Sequence, residues 1–174
     1  AIKIKPNYVD AHYNLANTLR ETGKYQKSII CYEKVIKINS THIDSYNNLG
    51  ILFNEFQEHQ KAIDCYEKAI EINPNFAGAY NNLGNVFKDL GEFKKSIKYY
   101  EKTIKINPNN IDAHNNLGNI LKELGEHQKA MNCYQKVIQI EPNNLTAHWL
   151  SMNNFPVIYK NYDEINTYQE KFEK

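Results

Sequence analysis

The chain has 174 residues, 41% of them hydrophobic and 24% charged, which excludes a disordered chain and provides enough apolar content for a core. Its 21 basic and 20 acidic residues leave a net charge of +1, so bulk charge draws it neither to nucleic acid nor to an anionic membrane. The apolar residues come in short amphipathic sets and never in the unbroken run of about 18 that a membrane-spanning helix requires.

Residues 1–8, AIKIKPNY, have the pattern of the end of a helix stopped at Pro6. They match the last eight positions of the segments that follow and are expected to cover the apolar face of the first of these. The native start of the protein, with any targeting segment, is therefore expected upstream of Ala1. Four segments of 34 residues come next, 9–42, 43–76, 77–110 and 111–144. With Val9, Ile43, Ala77 and Ile111 as position 1 of each, position 4 is large (His12, Tyr46, Tyr80, His114) and position 7 is always Leu. Position 8 is small (Ala16, Gly50, Gly84, Gly118), and so is position 20 (Ser28, Ala62, Ser96, Ala130). Tyr32, Tyr66, Tyr100 and Tyr134 share position 24, and position 32 is Pro74, Pro108 or Pro142 in the last three.

Within each segment, apolar residues at positions 4, 7, 8 and 11, and again at 17, 20, 24 and 27, have the spacing of one helical face and predict two amphipathic helices. Gly23, Gly91 and Gly125 fall at the intervening turn, where a helix ending in a left-handed residue favours glycine. The second segment has Gln57 there, and Ser40 stands before it in place of the usual Pro. A non-glycine residue in the left-handed region costs on the order of 1 kcal/mol, so this repeat is expected to open most easily. One helix pair cannot bury its own apolar face, and successive pairs must stack.

The period and the positions just given resemble the tetratricopeptide repeat family over residues 1–144 at least. That resemblance implies an all-α fold, a right-handed superhelical solenoid of antiparallel helix pairs, and a groove that binds protein segments.

Residues 145–174 depart from the pattern. LTAHWL (145–150) begins a fifth first helix, but Ser151 and Met152 stand at positions 7 and 8, and Pro156 turns the chain before a further amphipathic stretch opens at Asp163. One reading is a capping helix over the last repeat. The other is a junction: residues 155–172, with Pro156, Tyr159, Glu164-Ile165 and Phe172, resemble the segment that joins repeats to the catalytic region in SPINDLY-like and O-GlcNAc transferase relatives. Gln169 and Lys171 replace the arginines usual in that helix.

Cys31, Cys65 and Cys133 all occupy position 23. Equivalent sites in stacked repeats lie about 8–10 Å apart, too far for a disulfide, and neither a CxxC pair nor a zinc-like His/Cys spacing occurs. They read as small apolar residues of a reducing compartment, and the expected location is cytoplasmic. His12, His114 and His148 at position 4, and His59 and His127 at position 17, occupy packing positions. No nucleophile, phosphate-binding or metalloprotease motif is present, so the chain itself is expected to be non-catalytic and to hold no cofactor or metal.

The candidate binding residues are asparagines. Position 6 is Asn14, Asn48, Asn82 and Asn116, and position 9 is Asn17, Asn85 and Asn119. Asparagine is a poor helix former, so its recurrence on one helix face calls for a reason. A carboxamide offers a donor and an acceptor side by side, matching a peptide backbone of any sequence. With repeats about 10 Å apart and an extended chain rising about 3.3 Å per residue, one Asn would meet every third peptide residue. This resembles the asparagine ladder of O-GlcNAc transferase at position 6. Compositional drift in a chain rich in Asn, Ile, Lys and Tyr is the alternative.

The acidic position 13 (Glu21, Glu55, Asp89, Glu123) is expected to pair with nearby lysines, and neutral or basic partners are expected over acidic ones. Positions 5 and 6 carry no base, unlike the family's chaperone-tail binders. The expected partners are proteins or peptides in extended conformation. The reading is either the substrate-recruiting region of a SPINDLY-like protein O-glycosyltransferase or a free-standing adaptor for complex assembly.

Overall fold

The structure, a computed structural model, describes residues 8–152. Nine helices lie among them: α1 (Val9–Glu21), α2 (Tyr25–Ile38), α3 (Ile43–Glu55), α4 (His59–Ile72), α5 (Ala77–Asp89), α6 (Phe93–Ile106), α7 (Ile111–Glu123), α8 (His127–Ile140) and α9 (Leu145–Met152). The fold is all-α, an array of helix pairs with no strand among the described residues. The chain divides into two compact units, and the division falls within α7, after Leu117.

In the unit up to Leu117, α1, α3 and α5 each pack chiefly on the second helix of their own pair, and α2 and α4 pack in turn on α3 and α5. Leu49, Leu52, Phe53, Tyr66, Leu83, Val86 and Phe87 belong to one continuous buried cluster. In the unit from Gly118, Ile120, Leu121, Ala130, Tyr134, Val137 and Ala147 are buried.

Position 8 is small because a tyrosine ring lies against its backbone. A Cβ on Gly84 would collide with the Tyr100 ring, and one on Gly50 would stand 2.6 Å from Tyr66. Gly118 meets Tyr134 in the same way, also at 2.6 Å. Position 20 is more than small in two repeats. Ser28 Oγ donates to the Ala16 carbonyl at 2.7 Å, and Ser96 Oγ to the Gly84 carbonyl at 2.6 Å, pinning second helix to first.

The turn between paired helices is the same in all four repeats. The residue after the helix cap has positive φ: 72° at Gly23 and Gly91, 76° at Gly125, and 59° at Gln57. The next N–H reaches back to the last turn, as in Glu58 N to Phe53 O and Glu92 N to Phe87 O, both 2.8 Å. This is the Schellman closure, and Gln57 is forced into it by the helices on either side.

Asparagines also shape the repeat ends. Asn39, Asn73 and Asn107 accept from the N–H two residues on, while Asn110 and Asn144 cap α7 and α9 by accepting from Ala113 and Ala147 N–H. His114 Nε2 lies 2.9 Å from the Pro108 carbonyl and His148 Nε2 lies 2.8 Å from that of Pro142. A carbonyl only accepts, so both Nε2 atoms carry the proton, and these histidines lock the inter-repeat turn. The described residues stop at Met152, so the junction residues Pro156, Tyr159, Glu164, Ile165 and Phe172, like residues 1–7 of the helix end expected over 1–8, lie outside them.

Candidate peptide-binding face

The asparagines of positions 6 and 9 lie on the first helices, and hydrogen bonds join them from one repeat to the next. In the unit up to Leu117, the Tyr32 hydroxyl donates to Asn17 Oδ1 at 2.5 Å, and Asn48 Nδ2 of the next repeat approaches the same oxygen at 3.4 Å. Asn48 Nδ2 also donates to the Tyr13 hydroxyl at 3.2 Å. Tyr100 donates to Asn85 Oδ1 at 2.7 Å, and Asn116 Nδ2 donates to that oxygen at 3.1 Å. Between these two steps position 9 is Ile51, and Asn82 Nδ2 turns instead to Asn47 Oδ1 at 2.9 Å. In the unit from Gly118, Tyr134 donates to Asn119 Oδ1 at 2.9 Å.

The two candidate sets therefore do different work. A carboxamide oxygen has two lone pairs, and those of Asn17 and Asn85 are both taken, so these residues position others. In Asn82 and Asn116 one amide N–H is held by the preceding first helix, which fixes the side chain and leaves the other N–H, whereas Asn48 Nδ2 has both its acceptors, the Tyr13 hydroxyl and Asn17 Oδ1, on α1. No protein donor among the described residues approaches the Asn82 or Asn116 oxygen, and Asn14 is exposed.

A further set was missed in the sequence. Position 5 is Asn47, Asn81 and Asn115, and the Oδ1 atoms of Asn81 and Asn115 are buried without a donor among the described residues. A buried acceptor left unpaired costs about 1–3 kcal/mol. Recurrence in three repeats of four, the signal used for position 9, would have found them.

Charges along this face are mixed. Positions 5 and 6 carry no base, but position 12, one turn beyond position 9, brings Arg20, Lys88 and Lys122. The expected lysine pairing of position 13 is limited: Asp89 is 4.0 Å from Lys88 and accepts from Asn54 Nδ2 at 3.3 Å, and no other position-13 acid is in an ion pair among the described residues. The lysines of position 19 pair instead with position-16 glutamates, Lys61 with Glu58, Lys95 with Glu92 and Lys129 with Glu126. Lys61 and Lys95 also lie over Phe53 and Phe87. Such exposed pairs stabilise by less than about 1 kcal/mol.

No disulfide joins the three cysteines. Burial, with Asp64 and Glu33 adding to it, pushes the Cys65 thiol up to about 12, so it is inert rather than nucleophilic at neutral pH. Among the described residues no cluster of His, Cys, Asp and Glu could hold a metal ion, and no helix is long and apolar enough to cross a membrane.

Residues 7–75, 65–98 and 111–144 match families described as tetratricopeptide repeat, and residues 84–125 match one described as TPR repeat. A crystal structure of MamA is 31% identical over 83% of this chain and 85% of its own, with a TM-score of 0.74. The chain belongs to the tetratricopeptide repeat family. Other tetratricopeptide-like structures share its fold: YrrB, described as a TPR protein with an unusual peptide-binding site, at 21% identity over 88% of this chain and 79% of its own, with a TM-score of 0.71. PilF of Pseudomonas aeruginosa is 20% identical over 97% of this chain and 75% of its own, with a TM-score of 0.80. No curated protein sequence matches the chain. As a tetratricopeptide array, the chain is a protein-interaction scaffold.

Proposed function

We propose that this tetratricopeptide protein binds extended segments of other proteins along the row formed by Asn14, Asn48, Asn82 and Asn116, with Asn17 and Asn85 holding Asn48 and Asn116 in place. The observation that carries the reading is that the amide nitrogen of Asn48, Asn82 and Asn116 is tied to the preceding first helix, so each side chain is fixed before a ligand arrives. Preorganisation lowers the entropic cost of binding. The remaining N–H and the oxygen of Asn82 and Asn116 address a peptide backbone, and Asn48 adds its oxygen. At about 0.5–1.5 kcal/mol per hydrogen bond, the row alone gives weak, sequence-tolerant binding. Arg20 and Lys88 against Glu21, Glu55 and Asp89 make neutral or basic segments the preferred class.

Fluorescence titration with a panel of unstructured peptides tests this. The variant Asn48→Ala/Asn82→Ala/Asn116→Ala is expected to bind about tenfold more weakly than the parent. Unchanged affinity removes the asparagine row from the interface.

The finer reading, a substrate-recruiting arm of a SPINDLY-like protein O-glycosyltransferase in the cytoplasm, rests on the sequence of residues 155–172 and on the ladder resemblance. The alternative is a free-standing adaptor. Intact mass of the native protein from its source cells separates the two. A mass several times 20.4 kDa sends the next assay to sugar transfer, and a mass near 20.4 kDa to co-purifying partners.

A further inference from the structure

Away from the asparagine row, on the second helix of the third repeat, α6 carries Lys94, Lys95, Lys98, Lys102 and Lys105 against the single acid Glu101. The corresponding helix α4 has Lys61 and Lys68 against Asp64, Glu67 and Glu71. Lys98, Lys102 and Lys105 line a surface pocket of about 490 Å³ together with Tyr80, Tyr99 and Glu101. Among the described residues no carboxylate forms an ion pair with any of these three lysines, whereas Lys95 is paired with Glu92.

The aromatic part of the pocket is held in place from behind. The Tyr99 ring stacks on Phe87 with centroids 5.3 Å apart and planes 3° from parallel, and the Tyr80 ring stands 6.4 Å from Tyr99. Lys102 Nζ lies 5.6 Å from the centre of the Tyr80 ring. These features break the repeat pattern at the pocket. Position 23 is Tyr99 where the other repeats have Cys31, Cys65 and Cys133, and position 22 is Lys98 where they have Ile30, Asp64 and Asn132.

We propose that this pocket docks an acidic peptide segment, one apolar side chain entering between Tyr80 and Tyr99 and flanking carboxylates meeting Lys98, Lys102 and Lys105. The three lysines follow one helix face at i, i+4 and i+7, about 10 Å along the axis. In an extended chain side chains two apart share a face at about 3.3 Å rise per residue, so the matching pattern is acid, any residue, apolar, any residue, acid, which spans about 13 Å. Cations without counterions beside an aromatic wall attract carboxylates more strongly than they would in open water. Glu101 also lines the pocket, so three lysines there stand against one acid. The site is distinct from the asparagine row in both location and ligand charge.

Fluorescence polarisation with a labelled Gly-Asp-Glu-Phe-Glu-Asp-Gly peptide tests the proposal on the full chain. Saturable binding is expected, weakened when salt rises from about 50 to about 300 mM. The Lys98→Glu/Lys105→Glu variant, on exposed positions, is expected to lose about tenfold in affinity. Tyr99→Cys, which installs the residue of the other repeats, is expected to lose binding with its helical circular dichroism intact. The triple asparagine variant is expected to bind like the parent, which separates this site from the row. No saturable binding, equal binding of a peptide with Gly in place of Phe, parental affinity in both pocket variants, or sedimentation with phosphatidylserine vesicles while the peptide stays unbound would each overturn it.

Discussion

The Tyr100 hydroxyl donates to Asn85 Oδ1 at 2.7 Å, and the same oxygen receives Asn116 Nδ2 at 3.1 Å, so one carboxamide ties α5, α6 and α7 together. Tyr100 is fully buried. Tyr66 fills the equivalent place one repeat earlier, but position 9 there is Ile51 and offers its hydroxyl no such acceptor. Tyr100→Phe is therefore expected to lower stability by about 0.5–1.5 kcal/mol, the net value of a hydrogen bond, and Tyr66→Phe by appreciably less. Urea denaturation of the two variants measures the difference. Equal losses would mean that the hydroxyl bond adds nothing to ring packing.

Gln57, at φ 59°, is the one non-glycine residue in the left-handed region among the described residues. Replacing it with glycine removes the Cβ strain while keeping the Schellman closure, and the gain outweighs the added backbone freedom of the unfolded chain. Gln57→Gly is expected to raise the urea midpoint by an amount equal to about 0.5–1 kcal/mol. In the parent, hydrogen exchange is expected to be fastest in α3 and α4. A fall in midpoint on substitution, or uniform protection across the four repeats, contradicts the account.

Burial pushes the hydroxyls of Tyr100 and Tyr134 up to about 12 and raises those of Tyr32 and Tyr66 as well. The unfolded chain releases these protons near pH 10 while the folded chain keeps them. Stability is thus fully present below about pH 10 and is lost as pH rises through the folded values near 12. Tyrosinate absorbance from these four residues is expected to emerge together with loss of the helical signal. Complete tyrosine ionisation with helicity intact would refute the linkage.

The helix pairs were legible because their signals are local. Positions 7, 8, 20 and 24 repeat every 34 residues, and glycine at Gly23, Gly91 and Gly125 marks a turn of one conformation. Position 8 is small in every repeat, yet the close approach of the Tyr100 ring to a Cβ on Gly84 depends on where two helices cross, which periodicity does not specify. Position 20 was read as small in every repeat, while Ser28 and Ser96 are bonded donors and Ala62 and Ala130 are not.

The candidate site was half legible. Recurrence named Asn48, Asn82, Asn116, Asn17 and Asn85, but on one helical wheel positions 6 and 9 look alike. Only the neighbouring repeat separates them, since the oxygens of Asn17 and Asn85 are filled from α2 and α6 on one side and from the next first helix on the other. The pocket beside Tyr99 was hidden for the same reason: Tyr80 is nineteen positions away in the chain and 6.4 Å away in space. By itself the sequence determined the helices, their turns and the residues that face inward, because each depends on spacing within one or two turns of chain. The tertiary structure decided which polar groups are spent on the protein and which remain for a partner, because hydrogen bonds and pockets form between helices whose relative placement no single helix encodes.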